Sequence, residues 1–156
     1  HYRSKLIPLL LQHRIDQKHR TDGKQQQPIS LEASQRYEEV VLLAREELQM
    51  VQQAIFTEPD DQTAWWYHRF MIVWASPSRL LESSTSDDSC ISQAMMETYV
   101  DILKEEAESI EELVEAEDGR CKWGLLACHM ILGTLLGLYS KDGGLGMAGM
   151  VGGCVI

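Results

Sequence analysis

Residues 47–74 read ELQMVQQAIFTEPDDQTAWWYHRFMIVW, and this stretch decides the predicted fold. Its first half repeats apolar residues at steps of three and four, as on one face of a helix; they are Leu48, Val51 and Ile55. Pro59 then ends the helix, because it lacks an amide proton and disfavours helical geometry in the preceding residue. An aspartate after it, Asp60 or Asp61, can cap a second, aromatic-rich helix. The stretch therefore predicts a helical hairpin.

Two other segments of the chain are similar to this hairpin. HYRSKL at residues 1–6 can be aligned with WYHRFM at 66–71. Residues 108–123 contain an acidic helix pattern, a polar turn and then Trp123. Repeated hairpins that begin their second helix with a large aromatic residue are typical of α-solenoids. The separations of about 65 and 58 residues are long for a solenoid, so insertions must separate the units. The predicted fold class is all-α, an incomplete α-α superhelix of helical hairpins.

Three segments resemble the repeats of the protein prenyltransferase α subunits. Those repeats combine an acidic, leucine-containing helix, a proline-containing turn and a helix start of the type W-x-Y-x-R or W-H-Y-R. The matching segments are HYRSKLIPLL at 1–10, ELQMVQQAIFTEPDDQTAWWYHRFM at 47–71 and IEELVEAEDGRCKWGLLACHMIL at 110–132. Together they span roughly a third of the chain, in the expected order.

The resemblance implies a subunit that wraps a crescent of hairpins around a separate β subunit, which carries the zinc ion and the prenyl diphosphate. The expected motif or partner-interface residues are Tyr2, Arg3, Trp65, Tyr67, His68, Arg69 and Trp123. Neither a catalytic residue nor a metal ligand is expected in this chain. Where the family often has Asn-Tyr, the turn here has Asp60-Asp61-Gln62, and two carboxylates would repel a diphosphate.

Within the family, the resemblance points to the Rab geranylgeranyl type. The implied role is to scaffold the β subunit for geranylgeranyl transfer to C-terminal cysteines of Rab-type GTPases, with or without an escort protein, the chain alone being inactive. Two alternatives stay open. One is the α subunit shared by the farnesyl and type I geranylgeranyl transferases. The other is a non-enzymatic TPR-like scaffold, since Pro59 followed by Ala64-Trp65 resembles a TPR junction, although TPR units repeat every ~34 residues.

The charge of the chain is unevenly distributed. The formal net charge of the chain is −10. Most of it comes from the segment Glu97 to Asp118, which contains ten acidic residues and a single basic one, Lys104. The chain has no basic stripe, which argues against a nucleic-acid partner. The acidic run is interpreted as a solvated helix face, with a docking surface for a basic partner as the alternative.

The remaining pattern divides the chain into a helical region, 1–140, and a flexible glycine-rich tail, 141–156, with loops near 20–30 and 76–90. Ser30 is expected to cap the long helix that precedes Pro59, and Gly119 to end the acidic helix in the left-handed conformation. On the first helix, Leu6, Leu9, Leu10 and His13 are expected to lie on one side. The buried face expected on the acidic helix carries Met96, Tyr99, Leu103, Ala107, Ile110 and Val114.

The stretch 123–140 carries no formal charge over eighteen residues and is borderline for a membrane span. A buried core helix is the favoured interpretation, and no membrane span is expected. The four cysteines form no C-x-x-C pair, which indicates reduced thiols, a cytoplasmic location and no zinc site. Cys154 stands third from the end, so the tail is not a CaaX prenylation substrate.

His68 and Arg69 are the most prominent polar pair in the aromatic helix. Three roles are considered for them: hydrogen bonding within the solenoid, contact with a β subunit, and chemistry. The first is favoured, because the polar edge of a mostly apolar helix commonly bonds a neighbouring element.

Overall fold

The computed structural model describes residues 2–21, 29–78 and 92–141. Five α-helices account for nearly all of this part, and none of it forms a β-strand, which confirms the all-α class. The helices are α1 (Tyr2–Thr21), α2 (Ile29–Thr57), α3 (Gln62–Trp74), α4 (Gln93–Ala116) and α5 (Lys122–Lys141). The connectors 22–28 and 79–91 and the predicted tail, apart from Lys141 at the end of α5, lie outside the described residues.

The helices form two hairpins, α2–α3 and α4–α5. Like helices of the two hairpins lie side by side, since α2 contacts α4 and α3 contacts α5. Helix α1 packs on α2, where the ion pairs Arg14–Glu46 and Lys18–Glu39 join them. The two hairpins therefore pack against each other through both of their helices.

The turns of both hairpins follow the sequence pattern. Asp61 caps α3, its carboxylate accepting a hydrogen bond from the Thr63 amide at 2.9 Å. After α4 both Asp118, with a φ of 53°, and Gly119, with a φ of 72°, are left-handed, and the Gly119 amide donates to the Val114 carbonyl at 2.8 Å. Ser30, the expected cap of the long helix, is the second residue of α2, which begins at Ile29.

The core lies between the two hairpins and extends under α1. Its largest fully buried residues include Leu43, Leu48, Ile55, Met71, Ile72, Ile102, Leu103 and Ile131. Tyr37 of α2 donates its hydroxyl to the Ala75 carbonyl, and Tyr99 of α4 to the Ile72 carbonyl, both at 3.2 Å. Two carbonyls at the end of α3, which have no partner inside the helix, are thereby satisfied.

The expected buried faces are partly corrected. On α1 the buried residues are Ile7 and Leu11, whereas Leu9 and Leu10 are exposed, because packing on α2 uses a face rotated from the predicted one. On α4 the predicted Tyr99, Leu103 and Ile110 are buried, but Met96, Ala107 and Val114 are only half-buried.

Helix α5 is less buried than expected. It is the one helix in the described part of the chain that is long and apolar enough to cross a membrane, and only 22% of its apolar stretch is buried. One side, with Gly124, Ile131 and Leu135, is buried, while Leu132 and Leu136 are exposed. The helix is therefore covered on one side only, which corrects the expectation of a buried core helix.

Candidate functional site

Two of the predicted residues, Arg3 of α1 and Tyr67 of α3, meet at a buried carboxylate of α2. The Arg3 guanidinium donates to both oxygens of Glu47, at 2.6 and 2.8 Å, and the Tyr67 hydroxyl donates to one of them at 2.7 Å. Burial opposes ionisation of Glu47, but these hydrogen bonds outweigh it, so the pKa of Glu47 is lowered. Burial and the neighbouring carboxylate raise the pKa of Tyr67. Glu47 thus joins three helices, while the adjacent Tyr2 is exposed.

A second buried carboxylate, Glu106 of α4, holds His68. The Nε2 atom of His68 lies 2.9 Å from Glu106, whose other oxygen accepts from Gln52 of α2 at 3.0 Å. His68 is 1% exposed, and its Nδ1 atom has no hydrogen-bond partner. The edge of the ring meets Trp65, with centroids 6.0 Å apart. This geometry favours the structural role for His68, since almost none of its ring is on the surface.

Trp65 and Gly124 make close contacts near the turns of the two hairpins. The Trp65 indole N–H donates to the Pro59 carbonyl at 2.8 Å, so the ring anchors the turn that precedes its own helix. Gly124 begins the contact of α5 with α4, where an added Cβ would lie 2.8 Å from Val114 Cγ2. A larger residue there would force the two helices apart.

The other predicted residues, Arg69 and Trp123, line an open groove between α3 and α5. We call it the α3–α5 groove; its lining residues are Trp65, Trp66, Arg69, Trp123, Leu126, Ala127, His129 and Met130. Its volume is about 310 Å³. Arg69 stands over the Trp66 ring, and Lys122 over the Trp123 ring. The groove is apolar at its base and cationic at its rim.

Glu47 and Glu106, which organise the polar contacts of the core, are not among the residues predicted from the sequence. A signal was present: Glu47 lies three residues after Ala44 and four before Val51, and Glu106 lies three after Leu103 and four before Ile110. A carboxylate in the middle of an apolar stripe requires a buried partner. Within residues 2–21, 29–78 and 92–141, no three histidine, cysteine or carboxylate side chains are grouped to hold a metal ion.

Comparison with known proteins supports the resemblance seen in the sequence. The chain is 35% identical over 75 residues to the protein named geranylgeranyl transferase type-2 subunit alpha of Schizosaccharomyces pombe, covering 48% of the chain and 20% of that protein. The human protein of that name is 36% identical over 93 residues, covering 58% of the chain and 13% of the relative. The protein of that name from Dictyostelium discoideum is 28% identical over 97 residues, covering 62% and 25%.

The chain spans no more than a fifth of the length of the fission-yeast and human relatives. No protein-family model matches the sequence, and no solved structure matches it significantly. The predicted resemblance to prenyltransferase α subunits of the geranylgeranyl type is confirmed by the relatives' names, over about half of the chain.

Proposed function

We propose that this chain is part of the α subunit of a type-2 geranylgeranyl transferase and serves as a helical scaffold for a catalytic β subunit. The observation that carries the proposal is the agreement between relatives of one name and stacked helical hairpins. The most specific stretch of the resemblance is the hairpin α2–α3. We assign the zinc ion and the prenyl diphosphate to the β subunit, and Rab-type GTPases to the assembled enzyme as substrates, with or without an escort protein.

The contacts of the predicted residues fit a scaffold better than a catalytic centre. Arg3, Tyr67 and His68 are each hydrogen-bonded to a buried carboxylate of another helix. Such contacts fix one helix against the next and leave these groups engaged with the chain itself. Chemistry is therefore proposed to reside in the partner.

The exposed apolar side of α5 also supports a place within a longer stack. In repeat proteins each unit buries its apolar face against its neighbour. Leu125, Leu132 and Leu136 are at least half exposed on α5. We propose that a further repeat of the whole subunit covers this side and that the subunit is a cytoplasmic protein without a membrane span.

The test is co-expression of the chain with a type-2 geranylgeranyl transferase β subunit, followed by affinity purification. A full-length α subunit of a relative serves as the positive control, and the β subunits of farnesyl and type I enzymes serve as specificity controls. We expect the chain to retain the type-2 β subunit and neither of the other two. Retention of a farnesyl or type I β subunit instead would assign the chain to the other α-subunit class.

Retention of none of the three, while the full-length control binds, would contradict the scaffold role of this part of the chain.

A second measurement addresses catalysis. Metal analysis of the isolated chain is expected to find no stoichiometric zinc, and an assay with prenyl diphosphate to find no transfer. One tightly bound zinc ion per chain would overturn the assignment of chemistry to the partner.

A further inference from the structure

The α3–α5 groove exposes large apolar side chains that folding could have buried. Trp66 is 59% exposed and Leu126 is 54% exposed, and both lie on the walls of a cavity of about 310 Å³. An exposed apolar surface that is concave and bordered by polar groups is typical of a binding site. The volume is at the lower end of ligand pockets, so it suits one or two bulky side chains.

Two exposed cations stack on tryptophan rings that line the groove: Arg69, itself a lining residue, and Lys122, which lies next to Trp123. Arg69 lies 6.0 Å from the Trp66 ring centroid, and Lys122 lies 5.1 Å from that of Trp123. In the part of the chain that the structure describes, neither cation forms an ion pair, although the ion-paired arginines include Arg3 and Arg14. Their contacts are with the faces of the aromatic rings, which leaves their charge available to an incoming carboxylate.

We propose that the α3–α5 groove binds an acidic segment of a partner protein, with one aromatic side chain in the cavity and flanking carboxylates on Arg69 and Lys122. This inference does not depend on the proposed enzyme class. Charge complementarity selects the occupant, because a basic segment would bring its cations against those of the rim. The tryptophan walls supply the apolar contact, since a single buried aromatic ring removes on the order of 150–250 Å² from water.

A protein segment fits these features better than a nucleic acid. The chain has a net charge of −10, and α4 adds many carboxylates beside α5. A nucleic acid needs a run of cations for its phosphates and would extend over those carboxylates, whereas a short acidic segment can confine its charges to Arg69 and Lys122.

The experiment is a selection from a phage-displayed library of random dodecapeptides on the immobilised 156-residue chain. We expect enriched peptides to contain an aromatic residue flanked by Asp or Glu, and to be depleted in Lys and Arg. Binding of the best peptide is then measured by fluorescence anisotropy. It should weaken as the salt concentration rises, because screening reduces the attraction between charges at the rim.

Two groove variants test the location, and Arg36→Glu on α2, an exposed residue outside the groove, is a control with the same charge change as Arg69→Glu. Arg69→Glu and Leu126→Asp should each weaken the peptide by roughly tenfold or more, and Arg36→Glu should change it much less. Circular dichroism checks that all three variants keep their helicity. Enrichment of basic or uncharged peptides, no enrichment, or equal losses in all three variants would overturn the proposal.

Discussion

The buried pair His68–Glu106 gives a quantitative test of how the two hairpins are held together. His68 is 1% exposed and Glu106 is 5% exposed, and the 2.9 Å contact between them joins α3 to α4. Replacing one member with leucine leaves the other buried with fewer partners. For Glu106 the remaining partner is Gln52, and for His68 the described structure offers no other.

Leaving one partner of a buried hydrogen bond unsatisfied costs about 1–3 kcal/mol, and more when that partner is charged, whereas replacing both partners with apolar groups of the same shape can be nearly neutral. We therefore expect His68→Leu and Glu106→Leu each to lower the free energy of unfolding by at least about 1–3 kcal/mol. The double variant should be more stable than either single variant. The assay is urea unfolding followed by circular dichroism, in a double-mutant cycle.

The exposed pair Arg45–Glu105, which joins α2 to α4, is the control, because pairs at the surface contribute little to stability. Where a single replacement unfolds the chain outright, recovery of helicity in the double variant gives the same information. Additive losses from His68→Leu and Glu106→Leu would refute the reasoning, since they would show that the two side chains do not depend on each other.

Three further predictions concern other contacts. Trp65→Ala should lower the free energy of unfolding, measured with urea, by about 3–5 kcal/mol, because it removes a buried ring. Trp65→Phe should lower it by only about 1 kcal/mol, because it keeps a ring and removes only the indole hydrogen bond to Pro59. Equal losses in the two variants would contradict this packing. Because the folded-state pKa of Glu47 is lowered, its contribution is present above its unfolded value and is lost as pH falls through the folded one. Acid titration followed by circular dichroism should therefore show a smaller loss of stability below about pH 4 in Glu47→Gln than in the parent chain. Stability that falls equally with pH in both proteins would contradict this prediction. Gly124→Ala should destabilise the fold by about 1–3 kcal/mol, because the added Cβ would meet α4. Gly133→Ala should be neutral or stabilising by up to about 1 kcal/mol, because no atom lies within 4 Å of its added Cβ. Thermal melts compare the two variants, and equal shifts of their melting temperatures would contradict the prediction.

The sequence by itself determined the helices and turns of the hairpins, because these depend on local chemistry. The steps of three and four before Pro59 define the end of α2, the carboxylate of Asp61 caps α3, and Gly119 supplies the left-handed turn after α4. The aromatic helix start also sufficed to indicate the family resemblance that the relatives' names confirm.

Only the tertiary structure decided which residues are brought together. It assigned Arg3 and Tyr67 to one carboxylate, Glu47, and it made His68 a core residue rather than a surface group. It also decided that α5 is buried on one side only. Hydrophobic periodicity identifies an apolar face but not its partner, because burial depends on where elements distant in sequence pack. That is why the helices were predictable while the buried His68–Glu106 contact and the groove were not.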